Sequence, residues 1–285
     1  MNDHLQRASD ADQLACRQWL PRVSRTFALS IELLPSSLGE AVRVAYLLCR
    51  IVDTIEDEPR MALTDREALF DAFDALVGDG SADAAPFEAL VTRLNLGGET
   101  ADGELCRGAG AVFRCFRALP EDQQRALAPS VAEMSRGMRL YSQRAAEEGQ
   151  LRIRDLEDLE RYCYFVAGTV GELLTALFEL SVAVTSEERR EALRSRAVSF
   201  GLGLQLVNIV KDVATDWQRG DCFVPRALAQ AEGIELENLL DADARPAALR
   251  VVKAVCQRAW HHLERAREYT LLWPSPQADH VRLFC

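Results

Sequence analysis

Aspartates four residues apart occur twice in this chain, in Asp53-Thr54-Ile55-Glu56-Asp57 and in Asp212-Val213-Ala214-Thr215-Asp216. On a helix, positions i and i+4 share one face about a turn apart. Two carboxylates placed there repel each other and cost stability unless a cation sits between them. A pair of such pairs points to hard divalent ions, held through oxygen and shared with a phosphate-rich ligand. Arg50 stands three residues before Asp53 on the same face, where its planar fork can restrain a carboxylate or grip a phosphate oxygen. Tyr46 lies one turn further back. Gln205, Asn208, Asp212 and Asp216 form a second polar stripe, on a helix otherwise built from Leu204, Leu206, Val207, Ile209, Val210 and Val213. A buried polar stripe without partners is costly, and metal ions with a diphosphate would satisfy it. One Asp-x-x-x-Asp is usually a solvated face, and core Gln and Asn usually bond to backbone. The recurrence, in register with polar side chains on apolar helices, carries the functional reading.

The elements that must position these residues read as helices. Apolar residues recur at helical spacing from Leu38 through Ala41, Val44, Ala45, Leu48, Ile51 and Val52 into the first acidic segment. Pro21 to Arg50 reads as two helices broken at Leu34-Pro35-Ser36-Ser37, and Pro59 ends the second. Further helices fit Asp65 to Val77, Glu104 to Ala118, Glu121 to Tyr141, Leu156 to Leu180, Glu187 to Asp212 and Pro246 to Leu272. Gly78 to Pro86 and Asn95 to Gly103 read as loops. No segment alternates as a strand does, so residues 1–285 are expected to form one all-α domain. At 285 residues, 48% hydrophobic, the chain can build an ample core. A net charge of −11 argues against nucleic acid as a partner. No apolar run reaches the roughly 18–20 residues of a membrane span, and Met1 to Asp12 lacks a signal-peptide profile. The eight cysteines include no Cys-x-x-Cys pair, so reduced thiols are expected rather than a zinc knot or a disulfide scaffold.

Four stretches carry a family resemblance: Val23-Ser-Arg-Thr-Phe27, the segment from Tyr46 to Asp57, Tyr162-Cys-Tyr-Phe-Val-Ala-Gly-Thr-Val-Gly171, and the segment from Gln205 to Asp216, followed by Phe223-Val-Pro225. The chain resembles the squalene/phytoene synthases, the head-to-head prenyl diphosphate condensing enzymes, over nearly its whole length and in the family's order. The resemblance implies a helical isoprenoid-synthase bundle around an apolar cavity, with both acidic motifs at its mouth binding Mg²⁺ and diphosphate. Asp53, Asp57, Asp212 and Asp216 would associate with metal, assisted by Asn208 and Gln205. Ser24, Arg25 and Arg50 would contact diphosphate, and Tyr46 would stand beside them. Phe27, Val166, Val170, Gly201 and Leu204 would line the prenyl channel, and Tyr162 would sit near the reacting carbons.

Two positions depart from the family pattern. Lys211 stands where an arginine usually precedes the second motif, keeping charge for diphosphate contact but losing the fork. Thr215 replaces a glutamate. The chain also stops at Cys285, where family members usually continue with further helices. Asp-Thr-Ile-Glu-Asp and Ser-Arg-Thr-Phe are nearer to squalene synthases, which favours two farnesyl diphosphates joined through presqualene diphosphate to squalene, with NADPH as reductant. Phytoene or dehydrosqualene synthesis is the alternative, and a non-catalytic assembly-factor scaffold is another. An oily product further implies a cytoplasmic protein that works at the membrane surface without crossing it.

Overall fold

A computed structural model describes residues 8–59, 61–184 and 186–285, with the side chains of Arg25 and Arg219 outside that description. Its first helix, α1 (Asp10–Val23), begins with a capping box: the Ser9 hydroxyl accepts from Asp12 N–H while the Asp12 carboxylate accepts from Ser9 N–H. The expected break at Leu34-Pro35 is present, separating α2 (Arg25–Glu32) from α3 (Ser36–Asp57). Pro21, expected to open a helix, lies inside α1, and the chain turns instead at extended Ser24, which ends α1 and caps α2.

α4 (Leu63–Gly78) follows its expected span, while α5 (Ala85–Leu94) begins inside what read as a loop. Gly108 divides the helix expected over 104–118 into α6 (Ala101–Arg107) and α7 (Ala109–Ala118). α8 (Glu121–Glu148) and α11 (Glu187–Arg219) run longer than their apolar stripes suggested. Between them, α9 (Leu156–Cys163) passes through one π-helical turn, Tyr164–Gly168, into α10 (Thr169–Ser181). The last helices are α12 (Arg226–Ala231), α13 (Arg245–Leu272) and α14 (Asp279–Phe284). Among the described residues there is no strand, only one parallel bridge between Arg152 and Cys222.

α3 is the central element. Its predicted apolar positions Ala41, Val44, Ala45, Leu48, Ile51 and Val52 are all buried, packed among α1, α6, α7, α8 and α10. α11 lies along α13 on one side and against α10 on the other. The expectation of no membrane-length apolar segment is corrected: Leu156–Ser181 and Glu187–Gln218 are long and apolar enough to span, by length and composition, with mean hydropathies of 1.4 and 1.3. Scattered Gly, Thr and Glu interrupt each run without lowering its mean far. Of those two windows 56% and 44% are buried in the bundle, and both helices supply wall residues to the cavity described below.

Ion pairs tie the N-terminal helix to the rest: Arg22 of α1 meets Glu104 of α6 at the surface, and Asp12 meets Arg114 further in. Arg114 on α7 donates to both oxygens of Asp12, at 3.1 and 2.6 Å. The Arg114 guanidinium holds the Asp12 carboxyl down to about 2, against burial. A folded-state value below the unfolded one stabilises above the unfolded pKa of 3.8 and is lost as pH falls toward 2. Asp12→Asn is therefore expected to lower the melting temperature at neutral pH. Its gap from wild type should narrow from about pH 5 to about pH 3; a pH-independent gap would show that the pair contributes through packing alone.

Candidate active site

The C-terminal half of α3 brings Tyr46, Arg50 and Asp53 to a cavity of about 190 Å³. α11 supplies Gln205 and Asn208 as the rest of its polar wall. Phe27, Val166, Val170, Gly201 and Leu204 line it, together with Met134 and Phe200. Phe27 packs on Tyr46 with ring centroids 5.7 Å apart, and the Tyr46 hydroxyl donates to the Val23 carbonyl at 3.4 Å. The α11 stripe differs from expectation in burial: Gln205 is half-buried and Asn208 exposed, so the stripe edges a cavity instead of crossing a core.

Arg50 joins two carboxylates. Its Nη1 donates to Asp53 Oδ2 at 2.6 Å, while Nε and Nη2 make a bidentate pair with Asp102 at 2.8 and 3.0 Å. Burial opposes the charge on Arg50, and the two acids outweigh it. Asp102 was not singled out in the sequence because it falls in a Gly-rich stretch read as loop. There Gly97, at φ +67°, packs against Gly103, and a Cβ on Gly97 would come within 2.8 Å of the Gly103 backbone. That close approach, beside Thr54 of α3, sets the start of α6 near Arg50.

Oxygens of Asp53, Glu56 and Asp57 lie within 4.8 Å of one another. Burial, then Asp57 and Asp53, push Glu56 well above the carboxylate range. Asp53 is likewise raised by burial, with Arg50 pulling against it. Three carboxylates at such spacing suit a hard divalent cation, whose coordinated oxygens stand at comparable separations. Sequence spacing named Asp53 and Asp57, and the structure adds Glu56, three residues after Asp53 on the same helix.

A second cavity, of about 360 Å³, opens on the other side of this group. Glu56, Asp57 and Asp221 face it with Arg66, Tyr141 and Tyr162. Arg66 donates to the Glu58 carbonyl and to Ser142 Oγ. Tyr162 stacks on Phe223 at 5.0 Å and meets Tyr141 edge-on at 5.0 Å. Burial, then Glu56, Asp57 and Asp53, push its hydroxyl well above the ordinary phenol range. Tyr162 faces this second cavity, while Val166, in the π turn that follows, and Val170 of α10 face the first.

The second motif is arranged differently. Among the described residues, neither Asp212 nor Asp216 joins a carboxylate group of metal-binding spacing. Lys211 Nζ lies 3.3 Å from Asp212 and donates to Asn208 Oδ1 at 3.4 Å. Ser24 is the N-cap of α2, its hydroxyl accepting from Phe27 N–H at 3.2 Å. The Arg25 side chain lies outside the described residues.

The family model described as squalene/phytoene synthase matches residues 20–285. The chain belongs to the squalene/phytoene synthase family. Among curated family members, it is 29% identical over 257 residues to a squalene synthase of Schizosaccharomyces pombe, covering 89% of this chain and 53% of that protein. It is 35% identical over 115 residues to a 15-cis-phytoene synthase of Enterobacter agglomerans, covering 40% of this chain and 36% of that one. The chain spans about half the length of the curated squalene synthases it matches. A solved complex of TcSQS with the ligand E5700 superposes with a TM-score of 0.78 at 25% identity, covering 97% of this chain and 74% of that one. Squalene synthase HpnC from Alicyclobacillus acidocaldarius superposes at 0.64 with 20% identity, over 96% and 89% of the two chains, and shares the all-α fold.

Proposed function

We propose that the bundle acts as one domain that condenses two farnesyl diphosphates head to head, through presqualene diphosphate, to squalene. The observation that carries this reading is a single cavity with apolar walls and a polar edge formed by Arg50, Asp53, Gln205 and Asn208. The squalene synthases among its relatives, matched over most of the chain, support the product.

Asp53, Glu56 and Asp57 would hold Mg²⁺, with Asp212, Asp216 and Asn208 completing the site from α11. The ion, when bound, neutralises a leaving diphosphate. Arg50, aligned by Asp102, would bind the diphosphate oxygens and keep Asp53 turned toward them. Ser24, Arg25 and Lys211 would extend that anion contact. Phe27, Val166, Val170, Gly201 and Leu204 would bind the prenyl chains and exclude water, which would quench an allylic cation. Tyr162, facing the acids with its proton firmly held, would steady positive charge or take part in proton removal near them. NADPH would supply the hydride for squalene, and the protein would work at a membrane surface, on the cytoplasmic side.

The test is incubation of the protein with Mg²⁺ and farnesyl diphosphate, with and without NADPH, reading extracted lipids by mass spectrometry. Squalene formed only with NADPH is the expected result. Dehydrosqualene regardless of NADPH, or phytoene from geranylgeranyl diphosphate, would move the protein to the second reading, favoured by the phytoene synthase among its relatives. No product from either substrate, with no Mg²⁺-linked thermal shift on adding pyrophosphate, would support a non-catalytic scaffold.

A further inference from the structure

Cys16 on α1 and Cys115 on α7 are 99 positions apart in the chain and meet in the core with their sulfurs 3.7 Å apart. Each is only 2% exposed. The two helices are pinned in register at this point, because Arg114, next to Cys115, grips Asp12, one turn before Cys16. Among the described residues no other two cysteines make a sulfur–sulfur contact. A single buried thiol is ordinarily a small apolar filler. Two in contact across packed helices are different. A disulfide bond is about 2.05 Å long, so closing the pair requires the two sulfurs to approach further from 3.7 Å.

The protons are unequally held. Cys16 donates its S–H to Cys115, and that hydrogen bond pulls Cys115 below its ordinary thiol value, against burial. The same bond, reinforced by burial, pushes Cys16 up. Cys115 is therefore the better nucleophile of the two, with Cys16 positioned behind it.

We propose that Cys16 and Cys115 are a redox pair, closed by a hydroperoxide to a disulfide that staples α1 to α7. Cys115 sulfur attacks one peroxide oxygen and the O–O bond breaks. This leaves a sulfenic acid and a hydroxide that takes up the thiol proton as water. Cys16 sulfur then attacks the sulfenic sulfur, its S–O bond breaks, and a second water leaves with the Cys16 proton. Two thiols lose two hydrogens in all, and hydrogen peroxide is reduced to two waters. The staple acts at the helix whose C-cap, Ser24, is also the N-cap of α2. α2 carries Phe27 and Ile31 into the apolar cavity, so the oxidised form would hold one cavity wall more rigidly.

The test treats the folded protein with hydrogen peroxide, blocks remaining thiols, and maps non-reduced peptides by mass spectrometry. Exposed Cys256 reports that oxidant was present. The expected product is a Cys16–Cys115 linked peptide lacking two hydrogens, with a melting temperature several degrees higher, both reversed by dithiothreitol. In Cys16→Ser, whose hydroxyl can still donate to Cys115 but cannot form a disulfide, Cys115 should instead accumulate as a sulfenic acid trapped by dimedone. Oxidised Cys256 alongside fully alkylatable Cys16 and Cys115 would overturn the proposal. So would a cross-link that appears only after the chain is unfolded in denaturant.

Discussion

Asp53→Asn is expected to cut the rate of prenyl diphosphate condensation about a thousandfold while leaving the melting temperature within a few degrees of wild type. Asp53 borders the apolar cavity, joins the carboxylate group with Glu56 and Asp57, and accepts from Arg50. On the proposed function, losing its charge would weaken metal and diphosphate binding together, and a thousandfold is about 4 kcal/mol of barrier, within what one metal-site carboxylate supplies. The fold should survive because Arg50 keeps its bidentate bond to Asp102, so no buried cation is stranded. Removing Asp53 also relieves repulsion, since Glu56 is held high partly by Asp57 and Asp53. Loss of the Mg²⁺-linked thermal shift with pyrophosphate should accompany the rate loss. A variant that retained a tenth of the wild-type rate would take Asp53 out of the proposed metal site, whichever of the proposed products is formed.

That residue was legible in the sequence because its signal is periodic. α3 is buried on the face its apolar spacing describes, and Arg50 and Asp53 follow at the register that spacing sets. What failed to show was whatever depends on a partner far along the chain. Asp102 meets Arg50 only because Gly97 and Gly103 allow two backbones to touch, and nothing in the segment itself marks that contact. α5 and α14 are short and set in turn-rich surroundings, so a few apolar residues could not outweigh Gly, Pro and Asp nearby. The π turn at Tyr164–Gly168 is invisible to a 3.6-residue template. The α11 stripe lies on one helix as its spacing describes, but its burial was misjudged because a helix edging a cavity has the same pattern as one crossing a core. Pairing of the two acidic motifs was a separate matter, since helix spacing orders residues within each motif and says nothing about the distance between them.

Close approach between helices leads to the second large effect. Gly201 of α11 sits against the π turn, where a Cβ would lie 2.0 Å from the Ala167 carbonyl oxygen and 2.5 Å from its carbon. Gly171 of α10 makes the same contact in the other direction, 2.0 Å from the Ala197 carbonyl oxygen. These clashes are with backbone, so no side-chain rotation relieves them and α10 and α11 must move apart. Placing alanine in a helix ordinarily gains about 1 kcal/mol over glycine. Overpacking against backbone outweighs that, and Gly201→Ala is expected to lower stability by about 2–3 kcal/mol net. The melting temperature should fall on the order of 5–10 °C. Activity should fall further than stability explains, because Gly171, Gly201 and Ala167 all line the apolar cavity and separating the helices reshapes the wall proposed to hold the prenyl chain. Gly78→Ala is the control: it ends α4 with open space where a Cβ would go, so alanine there should leave stability unchanged or slightly raised. If Gly201→Ala melted like Gly78→Ala, the contact between α11 and the π turn would have to be looser than the 2.0 Å geometry requires.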